Sequence, residues 1–172
     1  MLKKMNPDDF DKVFAIMQKS FPSDEYRDYQ GQKQLLKETV YTVYVFEEDD
    51  IIKAFISVHR LNDFAFIEHF AVNPVYRNLG IGSAMLSELK NMLDCQLCLE
   101  VELPETDIAV RRIGFYKRNG FYLNNYPYIQ PSFSPDKNPV PLLIMTTGDP
   151  LDEEGFQRIK KTLYKDVYHT DI

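Results

Sequence analysis

Two glycines one residue apart, Gly80 and Gly82, sit in the stretch FAVNPVYRNLGIGSAMLSEL, after an apolar run of strand character and before a helical pattern. Successive backbone N–H groups at a helix start lack intrahelical acceptors, and the helix dipole favours an anion there. Glycine removes the Cβ atoms that would hold a phosphate off, and Arg77 can add a charge-assisted contact. The loop therefore suits a phosphate or pyrophosphate, the alternative being a tight strand-to-helix turn with no ligand. Two familiar phosphate loops fail against the letters. A dinucleotide fingerprint needs a third glycine where Met85 stands, and a P-loop needs Gly-Lys-Ser/Thr where Gly82 is followed by Ser83 and Ala84.

Other side chains that could do chemistry are sparser. Cys95 and Cys98 form a C-x-x-C, but in DCQLCLEVEL they fall on an alternating strand pattern, with no second cysteine or histidine pair to complete a tetrahedral site. They read as structural cysteines, and no metal is expected. His59, His69 and His169 are scattered, and His69 reads as a core or sheet-face residue.

The elements that must position the loop follow from periodicity. With 172 residues, 44% hydrophobic and 13% aromatic, the chain can bury one substantial core, so a single domain over 1–172 is expected. After a short strand near Leu2, Asn6 caps and Pro7 opens a helix whose Phe10, Val13, Phe14, Met17 and Phe21 repeat at helical spacing. A second helix is expected over Asp24–Lys37. Three antiparallel strands follow to Val72, then a helix from Gly80 with Ile81, Met85, Leu89 and Met92 on one face, and a strand in QLCLEVEL. A helix from Thr106 to Asn119, ended by Gly120, precedes two more strands, and a last helix over about 150–168 is expected with Asp149 as cap and Pro150 at its start. The order implies an α+β chain, a mixed, mostly antiparallel sheet flanked by helices. The formal charge of −6 makes nucleic acid or an anionic membrane a poor partner, and with neither signal-peptide core nor spanning run a cytoplasmic protein is expected.

FIEHFAVNPVYRNLGIGSAML resembles the acyl-CoA-binding motif of the GNAT superfamily of N-acetyltransferases, a strand ending in an L-A-V-like triplet followed by R/Q-x-x-G-x-G/A. RRIGFYKRNGFY resembles the superfamily's other recurring segment, a helix carrying a tyrosine and ending in N/K-G-F. The resemblance implies a GNAT-like fold and acetyl-CoA as cosubstrate. Phe70, Ala71 and Val72 would offer strand backbone to the pantetheine arm, and Arg77, Asn78, Leu79, Gly80, Ile81, Gly82 and Ser83 would surround the pyrophosphate. Tyr116 would sit near the thioester sulfur. Many relatives carry asparagine about two helical turns before that tyrosine, where this chain has Ala109. The helix beyond Asp149 is an addition to the common core.

Acetyl transfer to an amine needs an unprotonated nucleophile, a stabilised oxyanion and a protonated leaving thiolate. By the resemblance, a backbone N–H near Val72 would meet the oxyanion. Tyr116 is the expected general acid, its phenol helped by Arg112 or Lys117. For the base, Glu68 shares strand parity with Phe70 and Val72 unless a bulge intervenes, and Glu100 and Glu102 are its rivals on the next strand. The resemblance thus implies an N-acetyltransferase with acetyl-CoA and an amine acceptor as partners, a homodimer being a further possibility. The acidic, tyrosine-rich SDEYRDYQ segment suggests a cationic or amine-bearing acceptor. Two other readings remain open: an acyl-CoA sensor or inactive relative that keeps the cradle, and, disfavoured by the failed fingerprints, a nucleotide-binding regulator.

Overall fold

The computed structural model describes residues 1–171, among which apolar, β-branched and aromatic runs build seven strands. It divides into two units, Met1–Cys95 and a second beginning at Gln96.

The first unit lays β1 (Leu2–Lys4), β2 (Tyr41–Glu48), β3 (Ile51–Arg60) and β4 (Phe64–Val72) side by side in that order, all antiparallel. Asp49 and Asp50 join β2 to β3 with φ of 53° and 59°, the pair of left-handed residues a two-residue hairpin needs. One sheet face, through Val43, Val45, Phe55 and Ala71, packs with Phe10, Val13, Phe14 and Met17 of α1 (Phe10–Ser20) in a buried cluster. Asn6 does cap, through Oδ1 to the Asp8 N–H, but it opens a single 3-10 turn before α1 begins.

Two expectations change in this unit. The helix expected over Asp24–Lys37 is broken into a 3-10 turn at Ser23–Glu25, α2 (Tyr29–Gln34) and a 3-10 turn at Leu35–Lys37. Tyr26 is extended, and Asp28 caps α2 by accepting from the Gly31 N–H, so local side-chain bonding restarts the helix. In α3 (Ile81–Leu93) the stripe is completed by Leu93, and Met92 is exposed.

The second unit orders its strands β5 (Gln96–Glu102), β7 (Val140–Thr147), β6 (Phe121–Gln130), also antiparallel. The register between β6 and β7 shifts between Asn124 and Tyr128, where Pro127, which cannot donate to a ladder, is accommodated. Thr106 caps α4 (Asp107–Arg118) by accepting from the Ala109 N–H, and Gly120, at φ 87°, ends the turn that follows. The last helix, α5 (Glu153–Thr162), is capped by Asp152, not Asp149. Leu151 explains the delay: its N–H donates to Asn124 Oδ1 and its carbonyl accepts from the Tyr126 hydroxyl. α5 then widens into a π-turn over Leu163–Val167. Both units set helices against antiparallel strands, in keeping with the α+β expectation. No helix among the described residues is long and apolar enough to cross a membrane.

Candidate functional site

β4 ends at Val72, a 3-10 turn at Pro74–Tyr76 redirects the chain, and Asn78 and Gly80 then take left-handed φ of 64° and 78° to aim it into α3. A Cβ placed on Gly80 would meet nothing within 4 Å, so glycine is required there by its backbone angle and not by a neighbouring wall. The first bond of α3 runs from the Ala84 N–H to the Gly80 carbonyl, and no side chain caps the helix. The N–H groups of Ile81, Gly82 and Ser83 therefore start α3 uncapped by any side chain, with Ser83 exposed and Gly82 buried. Arg77, exposed, donates through Nε to the Val72 carbonyl at 3.1 Å, tying the loop to the strand end. The arrangement is an open, concentrated set of backbone donors, and it fits an anionic diphosphate.

Ahead of the loop, β4 carries a bulge. Ser57 pairs with His69 and Val58 with Ile67, which leaves Glu68 as the extra residue. Strand parity would have put Glu68 on the face of Phe70 and Val72; the bulge turns its carboxylate to the face of His59 and His69 instead. Glu68 Oε1 accepts from Arg27 Nη1 at 2.8 Å, and Oε2 lies 3.3 Å from His59 Nε2 and 3.6 Å from His69 Nδ1. Neither histidine contact closes into a well-formed hydrogen bond. His69 Nε2 is 2.7 Å from the Glu25 carbonyl, which requires its proton and leaves Nδ1 toward the carboxylate. Tyr41, which accepts from Gln32 Nε2, packs its ring against that of His59, tilted by 58° with centroids 4.9 Å apart.

Electrostatics decide what this cluster can do. Burial alone would raise the Glu68 pKa, but the Arg27 guanidinium, with His59 and His69, holds it well below the ordinary carboxylate range. Burial pushes His69 below its usual value against the pull of Glu68. A carboxylate held so firmly ionised is a poor proton acceptor. Its evident work is to anchor, through Arg27, the segment that runs from Ser23 to Asp28.

In the second unit Tyr116 lies on α4, buried, between the rings of Phe115 and Phe121 at 5.3 and 5.6 Å. Burial pushes its pKa up to about 12, and the opposing effect of Arg112 is smaller. The expected help from cations is thus present but outweighed. Glu102 pairs with Arg112 at 2.8 Å, with both side chains more than a third exposed. Glu100 differs: its carboxylate accepts from the Tyr128 hydroxyl at 2.5 Å and from the Tyr168 hydroxyl at 2.7 and 2.8 Å. Ala109 is buried, and its N–H donates to the Thr106 cap.

The model of the acetyltransferase (GNAT) domain matches residues 39–123, from before β2 to the start of β6. A Bacteroides thetaiotaomicron protein assigned to the GNAT family as an acetyltransferase superposes with a TM-score of 0.90 at 30% identity, covering 99% of each chain. The chain belongs to the GNAT family. More distant GNAT folds include the ribosomal-protein-S18-alanine N-acetyltransferase of Escherichia coli, with 21% identity, a TM-score of 0.62 and coverage of 90% of this chain and 96% of that one. A chimeric spermidine N-acetyltransferase from Vibrio cholerae and hSSAT shares the fold at 11% identity and a TM-score of 0.62, over 86% and 94% of the two chains.

Within this GNAT chain, Phe70, Ala71, Val72 and the loop from Arg77 to Ser83 lie together in the first unit, as does Glu68, and Tyr116 lies in the second. Among the described residues no group of His, Cys, Asp and Glu is arranged to hold a metal ion. Sequence reasoning missed Arg27, Tyr128 and Tyr168. Arg27 sits in the singled-out SDEYRDYQ segment, but its partner is 41 residues away, and no local spacing links Glu100 to Tyr128 or Tyr168.

Proposed function

We propose that this GNAT-family chain transfers an acetyl group from acetyl-CoA to a primary amine of a small molecule or protein. The observation that carries the reading is the uncapped start of α3, where Gly80 turns the chain with a positive φ and the N–H groups of Ile81, Gly82 and Ser83 come together. Those donors would hold the pyrophosphate, with Asn78 and Leu79 shaping the loop and Arg77 fixing it to Val72. Phe70, Ala71 and Val72 would run beside the pantetheine arm. Acetyl-CoA supplies the activated acyl group when bound. An acidic chain with carboxylates in the Ser23–Asp28 segment favours a cationic acceptor, and a cytoplasmic site of action belongs to the same proposal.

Tyr116 keeps its proton on Oη throughout the neutral range. Against a thiol pKa of about 8.5, judged from cysteine, a phenol at about 12 is a weaker acid by about 3.5 units. Complete transfer is uphill by about 5 kcal/mol, so Tyr116 serves the departing sulfur chiefly as a hydrogen-bond donor. Glu68 acts through Arg27 on the segment it anchors and does not take the amine's proton directly.

Release of CoA thiol from acetyl-CoA over a panel of amines tests the reading, together with equilibrium binding of acetyl-CoA against NAD and ATP. Turnover with at least one amine and preference for acetyl-CoA are expected. The deep burial of Tyr116 favours one second reading, an acyl-CoA sensor without chemistry. Tight acetyl-CoA binding with no turnover on any amine would select the sensor, and preference for NAD or ATP would overturn both.

A further inference from the structure

The loop that leads into α3 has little of its own to hold it in place. From Pro74 to Gly80 every residue is exposed except Tyr76, which is half-buried. Val75 and Leu79, the apolar side chains available to pin the stretch to the core, are 75% and 68% exposed. The backbone does not hold itself either, because Asn78 carries a Cβ in the left-handed region at φ 64°, a conformation that L-residues resist. The grip comes from β3, where Lys53 touches the turn twice. Its carbonyl accepts from the Asn73 N–H at 2.8 Å, one step past the Ala54–Val72 pair that ends the β3–β4 ladder. Its ammonium lies over the Tyr76 ring, 5.0 Å from the centroid. The Lys53 side chain is only 15% exposed, so this cation–π contact is partly shielded from water, and Glu48 at the end of β2 pairs with the same ammonium.

We propose that Lys53 is a positioning residue for the donor site: through the Tyr76 ring it presets the loop from Arg77 to Ser83 in the shape that receives the diphosphate of acetyl-CoA. The inference rests on the acetyltransferase reading and deepens it by assigning the shape of the loop to a residue outside it. Arg77 follows Tyr76 directly, and the N–H groups of the two return to the Asn73 and Pro74 carbonyls at 2.9 and 3.4 Å. Holding the ring therefore fixes where Arg77 leaves the turn, and Arg77 in turn bonds back to the Val72 carbonyl. A loop already held in its binding shape spares the ligand the cost of ordering it, which raises affinity without a new contact. With its ammonium engaged by Glu48 and by the ring, Lys53 acts on the loop and not on the phosphates of the ligand.

The test measures binding of CoA and of dephospho-CoA by calorimetry, together with thermal melting, on the full chain. The variants are Lys53→Met, Lys53→Arg, Tyr76→Leu, Lys53→Met combined with Tyr76→Leu, and Lys3→Met. Loss of a partly shielded cation–π contact should weaken CoA binding by about 3–10-fold in Lys53→Met and in Tyr76→Leu alike. The double variant should bind no more weakly than the weaker single, because both changes remove one contact. Lys53→Arg keeps a cation for the ring and should stay within about 2-fold of wild type. Lys3→Met removes a neighbouring surface cation paired with Glu47 and should leave the affinity where it was. The losses for CoA and dephospho-CoA should match. Losses that multiply in the double variant, or a loss in Lys53→Met that shrinks with dephospho-CoA, would mean that Lys53 meets the ligand directly and would overturn the proposal. So would an equal loss in Lys3→Met, which would reduce the effect to long-range charge. Unchanged CoA affinity in folded Lys53→Met overturns it as well, even where melting falls, because Lys53 would then be merely structural. Failure of the wild-type chain to bind CoA sinks the donor-site reading and the positioning role with it, whereas each of the other refutations leaves that reading standing.

Discussion

Arg27→Met removes the strongest partner of a carboxylate that has almost no access to water. The Glu68 side chain is 2% exposed and that of Arg27 14%, so solvent screens the pair weakly. With charge centres about 4 Å apart and an effective dielectric constant near 20, the attraction is about 4 kcal/mol. Loss of one member of a buried pair costs about 3–5 kcal/mol, because the other is left charged and uncompensated. In a chain of this length each kcal/mol lowers Tm by about 2–4 °C, so Arg27→Met should melt about 8–16 °C lower at neutral pH. The second arm decides the cause. Arg27→Met combined with Glu68→Leu buries no orphaned charge and should regain most of the lost stability, in calorimetry or urea melts. A single variant melting within about 2 °C of wild type, or a double variant no more stable than the single, would refute an ionic anchor at the bulge.

The same cluster predicts a stability that falls on acidification. Both folded pKa values lie below the unfolded ones, so the His69 contribution is complete above about pH 6.5 and that of Glu68 above about pH 4.3, and each is lost as pH drops through its folded value. Urea midpoints should begin to fall below about pH 6.5, and His69→Asn should flatten that first decline; a level profile from neutrality to about pH 5 would contradict the assignment. Tyr116→Phe should keep packing and acetyl-CoA affinity while cutting turnover by about 10²–10³-fold, the cost of losing one preorganised hydrogen-bond donor, and wild-type turnover in the folded variant would return Tyr116 to the core.

What could be read from the letters was local. Asn6 and Pro7, Thr106 and Gly120 mark helix ends because a cap or a left-handed residue acts within a few positions of its own backbone. The loop from Arg77 to Ser83 was legible for the same reason. The bulge at Glu68 was not: no glycine or proline announces it, and it exists because Ser57 and His69 keep their pairing, with the Ser57 hydroxyl accepting the His69 N–H at 3.0 Å. Asp149 and Pro150 form a sound helix start in isolation and lose to a distant side chain, Asn124, that claims the Leu151 N–H. Arg27 with Glu68, and Glu100 with Tyr128 and Tyr168, are partnerships of tertiary structure, fixed by which sheet face each residue shares. Periodicity placed each residue on an element, but it could not choose the partner.

The bulge in β4 also sets how the strand tolerates changes in chain length. Ile67 and His69 already oppose neighbouring residues of β3, so excision of Glu68 would join two stretches whose side chains keep their present faces. Removal of a residue from either flank, Phe64–Ile67 or His69–Val72, would instead force part of the strand to slip or the bulge to migrate. A chain that lacks the bulged position would therefore still deliver Phe70, Ala71 and Val72 in register to the loop. What it would give up is the ionic anchor to Arg27, and with it the hold of β4 on the segment between α1 and α2.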